Sequence, residues 1–230
     1  MILSIIIPVY NEEKTIKNIL EKVRRARLPA KKEIIVVDDG STDNTKNILK
    51  KLKRKNKNIR LVFHKENKGK TAAIKTALKH IRGDFVIIQD ADLEYDPADY
   101  RKLLNVLLKN ERYDAVYGSR FLRPHRPKYY YLYLGNKLLS FITNLLYGSI
   151  LTDIETCYKL FKTGVLKKIR LESKGFGFEP EITAKLLKRK LFIYEVPISY
   201  HPRSFAEGKK IKWKDGIISL YILIKLRFTK

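Results

Sequence analysis

The sequence predicts an α/β domain, a mainly parallel sheet with helices on both of its faces. Three observations lead there. Short apolar, β-branched runs alternate with amphipathic stretches through the first half of the chain, and strands joined by helical crossovers lie parallel. Two of those runs, residues 3–9 and 85–88, are apolar almost throughout, as strands covered on both faces are. The polar motifs each follow directly on a strand, and open sheets of this kind bind ligands beyond the carboxyl ends of their strands.

Taken in order, residues 3–9 form the first strand, and "NEEKTIKNILEKV" follows as a helix with Glu12 and Glu13 in its first turn, where the helix dipole favours acids. Residues 33–37 form the second strand, and "DDGSTDNTKNILKKL" turns and enters a helix whose buried stripe is Ile48, Leu49 and Leu52. Residues 59–63 are the third strand and "GKTAAIKTALKHI" the third helix. Residues 85–88 are the fourth strand, "DPADYRKLLNVLLKN" the fourth helix, and residues 113–117 the fifth strand. Five polar motifs then meet at one sheet edge: "YNE", "DDGSTD", "NKGKT", "DADLE" and "GSR". From Arg123 the rhythm changes to a Pro-broken, basic and aromatic link, "RPHRPKYYYLY", with a helical pattern over 134–147. Residues 1–122 read as the ligand-binding half and 123–230 as an extension of the same domain.

At 230 residues, 44% hydrophobic and 32% charged, the composition is globular. One cysteine, Cys157, excludes an internal disulfide and suits a reducing compartment. Residues 2–9 are apolar but lack a basic leader and a cleavage site, so they read as a strand and not as a signal peptide. The late apolar run, 217–224, is far short of the ~20 residues that span a bilayer. The net charge of +25 favours anionic partners: phosphorylated substrates, an anionic membrane face or nucleic acid.

"QDADLE" holds the sharpest signal. Asp90 and Asp92 are two apart, so in extended geometry both point to one side and can share a divalent cation, with Glu94 as a third ligand. Hard carboxylate oxygens suit Mg²⁺ or Mn²⁺. Asp96, before Pro97, reads instead as a helix N-cap. "DDGSTD" is open to two readings, a tight turn with a cap or a pair of site carboxylates at Asp38 and Asp39. "ENKGKT" is not a phosphate-binding P-loop, because His64 stands where the first glycine belongs. Lys70 remains a candidate phosphate contact, beside the plainer account of a turn entering a helix.

Together "SIIIPVYNEEKTI", "VVDDGSTDNT", "NKGKTAAIKTA" and "IIQDADLEYDP" resemble the signature of family 2 glycosyltransferases, which have the GT-A fold. "QDADLEYDP", "GSRF", "LTDIETCYKLF", "GFGFEPEIT" and "YHPRSFAEGKKIKWKDG" resemble the branch of dolichol-phosphate mannose synthase and related polyprenyl-phosphate glycosyltransferases. That resemblance implies that Pro8, Tyr10 and Glu12 hold the nucleotide, with Val37 and Asp39 beside them. It implies that Asp90, Ala91 and Asp92 form the metal and diphosphate site, and that Arg120, Arg203 and Lys209 are phosphate-binding cations. Of these, Asp92, Arg120 and Arg203 are expected to act on the reacting groups. The implied reaction is a metal-dependent, inverting transfer of a hexose from a GDP- or UDP-linked donor to a polyprenyl phosphate. The family's preference at position 94 is Gln, where this chain has Glu94. Several members also carry transmembrane helices where this chain has an amphipathic segment.

The chemistry agrees with that implication. The departing nucleoside diphosphate needs cations to neutralise it. A phosphate-monoester acceptor, with a second pKa of about 6, is already a dianion near neutral pH and needs no general base. It needs positive charge to position it, which Arg120, Arg123, Arg126, Lys128 and Lys137 are placed along the chain to supply. Three alternatives compete. A soluble or polysaccharide acceptor would suit the same donor site. A nucleotidyltransferase would want a glycine-rich loop where "PVYNE" has none. A nucleic-acid-binding protein, stacking bases on Tyr129, Tyr130 and Tyr131, leaves the carboxylates unexplained. The segment "WKDGIISLYILIKLRFTK", with Trp213, Ile217, Ile218, Leu220, Tyr221, Leu223 and Ile224 between basic ends, is expected to rest on the cytoplasmic face of an anionic membrane. Packing of the same helix on the core is the competing account.

Overall fold

A computed structural model describes every residue except 57, 124–126, 211–212 and 230. Arg126, expected above among the acceptor contacts, and Lys230, at the basic end of the late segment, lie outside the described residues, as does Lys212, a further basic residue expected to flank that segment. One sheet runs through the molecule. Its strands are β1 (Ile2–Val9), β2 (Lys31–Asp38), β3 (Ile59–Phe63), β4 (Phe85–Ile88), β5 (Ala115–Ser119), β6 (Lys159–Lys162) and β7 (Ile193–Pro197), in the spatial order β3-β2-β1-β4-β6-β5-β7. Strands β3, β2, β1 and β4 are parallel to one another, and β5 is parallel to β7. Strand β6 runs antiparallel to both its neighbours, Ile87 facing Leu160 and Val116 facing Leu160 across it. In β1 the consecutive residues Leu3, Ser4, Ile5, Ile6 and Ile7 are all fully buried, so both faces of the sheet are covered.

Around the sheet lie α1 (Ile16–Arg25), α2 (Thr45–Lys55), α3 (Lys70–Leu78), α4 (Tyr100–Lys109), α5 (Tyr130–Tyr147), α6 (Thr163–Lys167), α7 (Phe178–Lys188) and α8 (Trp213–Phe228). Helix α3 packs on β1 and β2, α4 on β5, and α5, α7 and α8 on one another. The apolar spacing of α1, with Ile16, Ile19, Leu20 and Val23 buried at every third or fourth position, explains both its form and its seat. Asp96 accepts from the Ala98 N–H at the turn before α4, the capping that its place before Pro97 foretold.

Two local expectations are corrected. Helix α1 begins at Ile16, not at Asn11, and has no acid in its first turn. Asn11 adopts a positive φ of 50°, and its side-chain oxygen accepts from the Thr42 N–H at 2.8 Å, so the chain turns before the helix starts. Glu12 is thereby free to enter the site. The "DADLE" segment is not extended either: β4 ends at Ile88, residues 91–92 form a turn, and Leu93 has φ 65°. The two strands beyond β5 also change the frame. Strand β6 enters between β4 and β5, and β7 pairs beyond β5, so the second half of the chain is woven into the sheet of the first.

Candidate active site

Because β6 is antiparallel, the loop before it arrives at the same edge as the carboxyl ends of β1, β2, β4 and β5. A cavity of about 740 Å³ opens there. Pro8, Tyr10, Glu12, Asp39, Lys70, Asp90, Ala91, Asp92, Glu94, Arg120, Arg203 and Lys209 all line it. Val37 is the exception among the residues expected there: it is fully buried in β2, within the hydrophobic core.

At the β2 end, Asp39 is a scaffold as much as a lining residue. Its carboxylate accepts from the Lys68 N–H at 3.0 Å and the Gly69 N–H at 2.7 Å, and lies 2.6 Å from His64 Nδ1, whose other nitrogen is 2.9 Å from Thr76 Oγ1. This fixes the loop that enters α3. Gly69 has φ 87°, and a Cβ there would stand 2.8 Å from the Gly175 Cα, so only glycine lets the two loops meet.

Lys70, the first residue of α3, reaches across that junction. Its ammonium lies 2.7 Å from Asp90 Oδ1 and 2.6 Å from Glu179 Oε1. Burial works against its charge, but Asp90 and then Glu179 outweigh it and hold Lys70 protonated well above the usual lysine range. The same pair holds Asp90 ionised: burial pushes its carboxyl up, and Lys70 pulls it below the ordinary value. Gln89, fully buried, anchors the turn from beneath, accepting from Tyr158 at 2.7 Å and donating to the Asp90 carbonyl at 2.9 Å.

Asp92 and Glu94 face other cations. Arg203 donates to both oxygens of Glu12 at 3.2 Å and to Asp92 Oδ2 at 3.1 Å. Glu94 accepts from the Tyr200 hydroxyl at 2.8 Å, the Arg203 N–H at 3.0 Å and Lys209 at 3.1 Å. Lys210 donates to Glu12 at 2.8 Å. The loop after β7 is thus strapped over the site by three cations. Burial, then the charges of Asp90 and Glu94, push the Asp92 carboxyl up to about 7 against the pull of Arg203. Lys70 draws Asp90 one way and the strap draws Asp92 and Glu94 the other. Among the described residues no three His, Cys, Asp or Glu side chains form a ready-made metal cage.

Farther along the edge, Arg120 is committed on one side. Its Nε and Nη2 each donate to the fully buried Asp153 at 2.7 Å, and its guanidinium lies over the Tyr200 ring at 5.2 Å. Of the other cations expected near an acceptor, Lys128 pairs at the surface with Glu207 at 3.2 Å, and Lys137 lies over the Phe121 ring at 4.5 Å. Arg123 is exposed.

The sequence reading did not single out Glu179, Lys210 or Glu155, which also line the cavity. Glu179 was signalled by an acid in the first turn of a helix that opens on apolar residues. Glu155 sits with Ile154 in a turn within "DIET" and gave no periodic sign. It neighbours Lys159, fully buried, whose ammonium donates to the carbonyls of Ile154 at 2.8 Å and Thr156 at 2.5 Å and so clips the loop that presents Glu155. Burial, then the charge of Glu179, holds the Glu155 carboxyl up at about 7.

Beyond Arg120 the cavity wall becomes apolar. Tyr131, Leu138 and Ile142 of α5 and Trp213, Ile217 and Leu220 of α8 continue the same lining. Helix α8 is seated by Leu223 and Ser219, while Trp213, Ile217 and Tyr221 remain more than half exposed. Helix α5 exposes Tyr130, Phe141 and Leu145 as strongly. Among the described residues no helix is long and apolar enough to cross a membrane.

The family model described as glycosyl transferase family 2 matches residues 4–170. A relative from Methanococcus voltae, UDP-N-acetylglucosamine–dolichyl-phosphate N-acetylglucosaminyltransferase, is 33% identical over 100% of this chain and 97% of its own length. A dolichyl-phosphate β-glucosyltransferase of Trichomonas vaginalis is 30% identical over 95% of this chain and 70% of its own. Dodecaprenyl-phosphate galacturonate synthase of Rhizobium johnstonii is 30% identical over 90% of this chain, which spans 61% of that protein. Among solved structures, glucosyl-3-phosphoglycerate synthase from Mycobacterium tuberculosis, crystallised with Mn²⁺, UDP and phosphoglyceric acid, is similar in fold. The TM-score is 0.75 at 19% identity, covering 99% of this chain and 79% of that one.

Proposed function

The chain belongs to glycosyl transferase family 2 and has the GT-A fold, and from that premise we propose that it transfers a hexose from a UDP- or GDP-linked donor to a polyprenyl phosphate at a membrane surface. The observation that supports this most is the continuity of one cavity. It begins among carboxylates and cations at the ends of β1, β2 and β4, passes Arg120 just beyond β5, and ends on the exposed apolar faces of α5 and α8. A nucleotide-sugar suits the first end and an isoprenoid chain with a phosphate head suits the second. The relatives named for dolichyl and dodecaprenyl phosphate support the same acceptor class.

The donor set fits a small divalent cation. Asp92 is a buried carboxylate crowded by Asp90 and Glu94, an excess of negative charge that a cation relieves. Mg²⁺ and Mn²⁺ sites often use one or two carboxylates and take the rest of their ligands from phosphate oxygens and water, so a cage of three carboxylates is not required. Asp92 with Asp90 would hold the ion, and Glu94 stays within the strap unless Lys209 leaves it. When bound, the ion neutralises the departing diphosphate.

The chain's own residues do the remainder. Arg203 and Lys209 exchange their carboxylate partners for phosphate oxygens: Lys210 stays with Glu12, and Asp92 and the released Glu94 become available to the ion. Arg120, held rigid by Asp153, turns its cationic face to the acceptor phosphate. The acceptor is a dianion already, and its direct attack on the anomeric carbon inverts that centre. The +25 charge and the basic residues Lys214, Lys225 and Arg227 of α8 draw the apolar helices to an anionic bilayer. Calorimetric titration of UDP and GDP, with and without Mn²⁺, tests the donor side. Metal-dependent binding of one of them is expected; binding of neither defeats the proposal.

A further inference from the structure

Among the described residues two buried side-chain polar atoms lack a hydrogen-bond partner, Glu155 Oε1 and Arg203 Nε, and both residues line the cavity. Arg203 has a use in the proposed reaction. Glu155 has none so far. Its loop is otherwise fully employed: Thr152 and Asp153 donate their N–H groups to Glu195 at 2.7 and 3.0 Å, and Asp153 receives Arg120. Lys159 gives two of its three protons to the Ile154 and Thr156 carbonyls, lies over the Tyr117 ring at 4.5 Å, and forms no ion pair with Glu155. A buried acceptor left empty is costly, and a site built to hydrogen-bond a ligand group leaves such an acceptor when the ligand is absent.

Topology says which part of a donor it meets. Glu155 precedes β6, which lies between β4, followed by Asp90 and Asp92, and β5, followed by Arg120. The nucleotide end at β2 is three strand spacings away, about 14 Å. Between the diphosphate carboxylates and the acceptor cation stands the group being transferred. Diphosphate offers no proton to a carboxylate, whereas a sugar ring offers several hydroxyls, or an amide N–H.

We propose that Glu155 is a donor-sugar specificity residue: its free carboxylate oxygen accepts a hydrogen bond from a hydroxyl or amide N–H of a neutral hexose, and with Glu179 nearby it turns away sugars that carry a carboxylate. The inference rests on the glycosyl-transfer reading above and selects the substrate class within it. Glu155 and Glu179 line the same cavity, Glu179 held by Lys70 at 2.6 Å, with Lys159, Arg120 and Asp153 as the other charged groups around Glu155. A hexuronate would set a carboxylate, which has no proton to give near neutral pH, against that acceptor.

The test compares wild type, Glu155→Leu and Glu155→Gln by calorimetry with Mn²⁺ present. The probes are UDP, GDP, UDP-glucose, UDP-N-acetylglucosamine, GDP-mannose and UDP-glucuronate. Glu155→Leu is expected to bind the preferred nucleoside diphosphate as wild type does, to lose about tenfold in affinity for the intact nucleotide-hexose, and to melt no earlier than wild type. Glu155→Gln keeps an acceptor oxygen without the charge, so it should retain the neutral donor and gain affinity for UDP-glucuronate. The proposal is overturned if Glu155→Leu binds the nucleotide-hexose unchanged, if it loses nucleoside diphosphate in equal measure, or if it melts earlier. A wild type that binds no nucleoside diphosphate overturns the functional reading itself, a distinct result.

Discussion

Replacing Arg203 by Met removes the clasp between the strap and the carboxylates while keeping the bulk of the side chain. Three hydrogen bonds are lost to Glu12 and one to Asp92, from a guanidinium whose side chain is only 13% exposed. Breaking a buried ion pair costs about 3–5 kcal/mol. Here the cost is smaller, about 2 kcal/mol, because Lys210 still reaches Glu12 and Lys209 still reaches Glu94. For a chain of this size that lowers the thermal midpoint by roughly 4–8 °C. The sign of the metal response is more telling. Asp92 loses the cation that opposes Asp90 and Glu94, so a divalent ion has more repulsion to relieve in the variant than in the wild type. Thermal unfolding with Mn²⁺ and with chelator should therefore show the variant less stable in chelator and more strongly raised by Mn²⁺. A variant that melts with wild type, or that responds to Mn²⁺ no more than wild type does, would refute the reasoning.

Two further outcomes are expected. The Glu155 carboxyl titrates near 7 in the folded chain against an ordinary value of 4.5; between those values the folded state keeps a proton that the unfolded state has released, so this group's contribution is fullest at low pH and is lost as pH rises through 7. Thermal midpoints of wild type and Glu155→Gln should accordingly diverge from pH 5 to pH 8, wild type falling relative to the variant; parallel curves would remove the assignment. With Trp213, Ile217 and Tyr221 exposed on α8 and Tyr130, Phe141 and Leu145 on α5, sedimentation with liposomes should require anionic lipid and be largely reversed by salt, each basic residue contributing about 1 kcal/mol at the surface. Equal binding to neutral and anionic vesicles, or none to either, would sink the interface.

The parallel part of the sheet was legible because β1 and β4 announce themselves as strands buried on two sides, and the polar residues that interrupt them mark where the chain leaves the core. The same local signals hid the rest. "NEEKTI" has a helical rhythm, yet Asn11 spends its side chain on Thr42 and turns the chain, so Glu12 belongs to the site and not to a helix. Strand β6 is four residues long and its antiparallel place between β4 and β5 is a matter of partners far away in sequence. Asp90 and Asp92 were singled out by a spacing that assumed an extended chain; both line the cavity at a turn, and which cation each one faces depends on Lys70 and Arg203, which lie 20 residues before Asp90 and 111 residues after Asp92. Glu179 could be read as a helix-start acid, and its partnership with Lys70 could not. Val37 shows the converse: the resemblance alone placed it beside Asp39, while its side chain lies in a stretch of β2 buried on both faces and does not line the cavity.

The central claim is that one cavity joins a metal-assisted nucleotide-sugar site to a lipid-phosphate site. The most direct measurement follows radiolabelled hexose from UDP- and GDP-linked donors into acceptors presented together: a polyprenyl phosphate and the matching polyprenol in anionic vesicles, and water-soluble sugars outside them. The account predicts label in the polyprenyl phosphate alone, abolished by chelator and by Asp92→Asn while the variant's thermal midpoint stays at or above that of wild type. Label in a soluble sugar, equal label in the unphosphorylated polyprenol, or transfer undiminished in Asp92→Asn would contradict it.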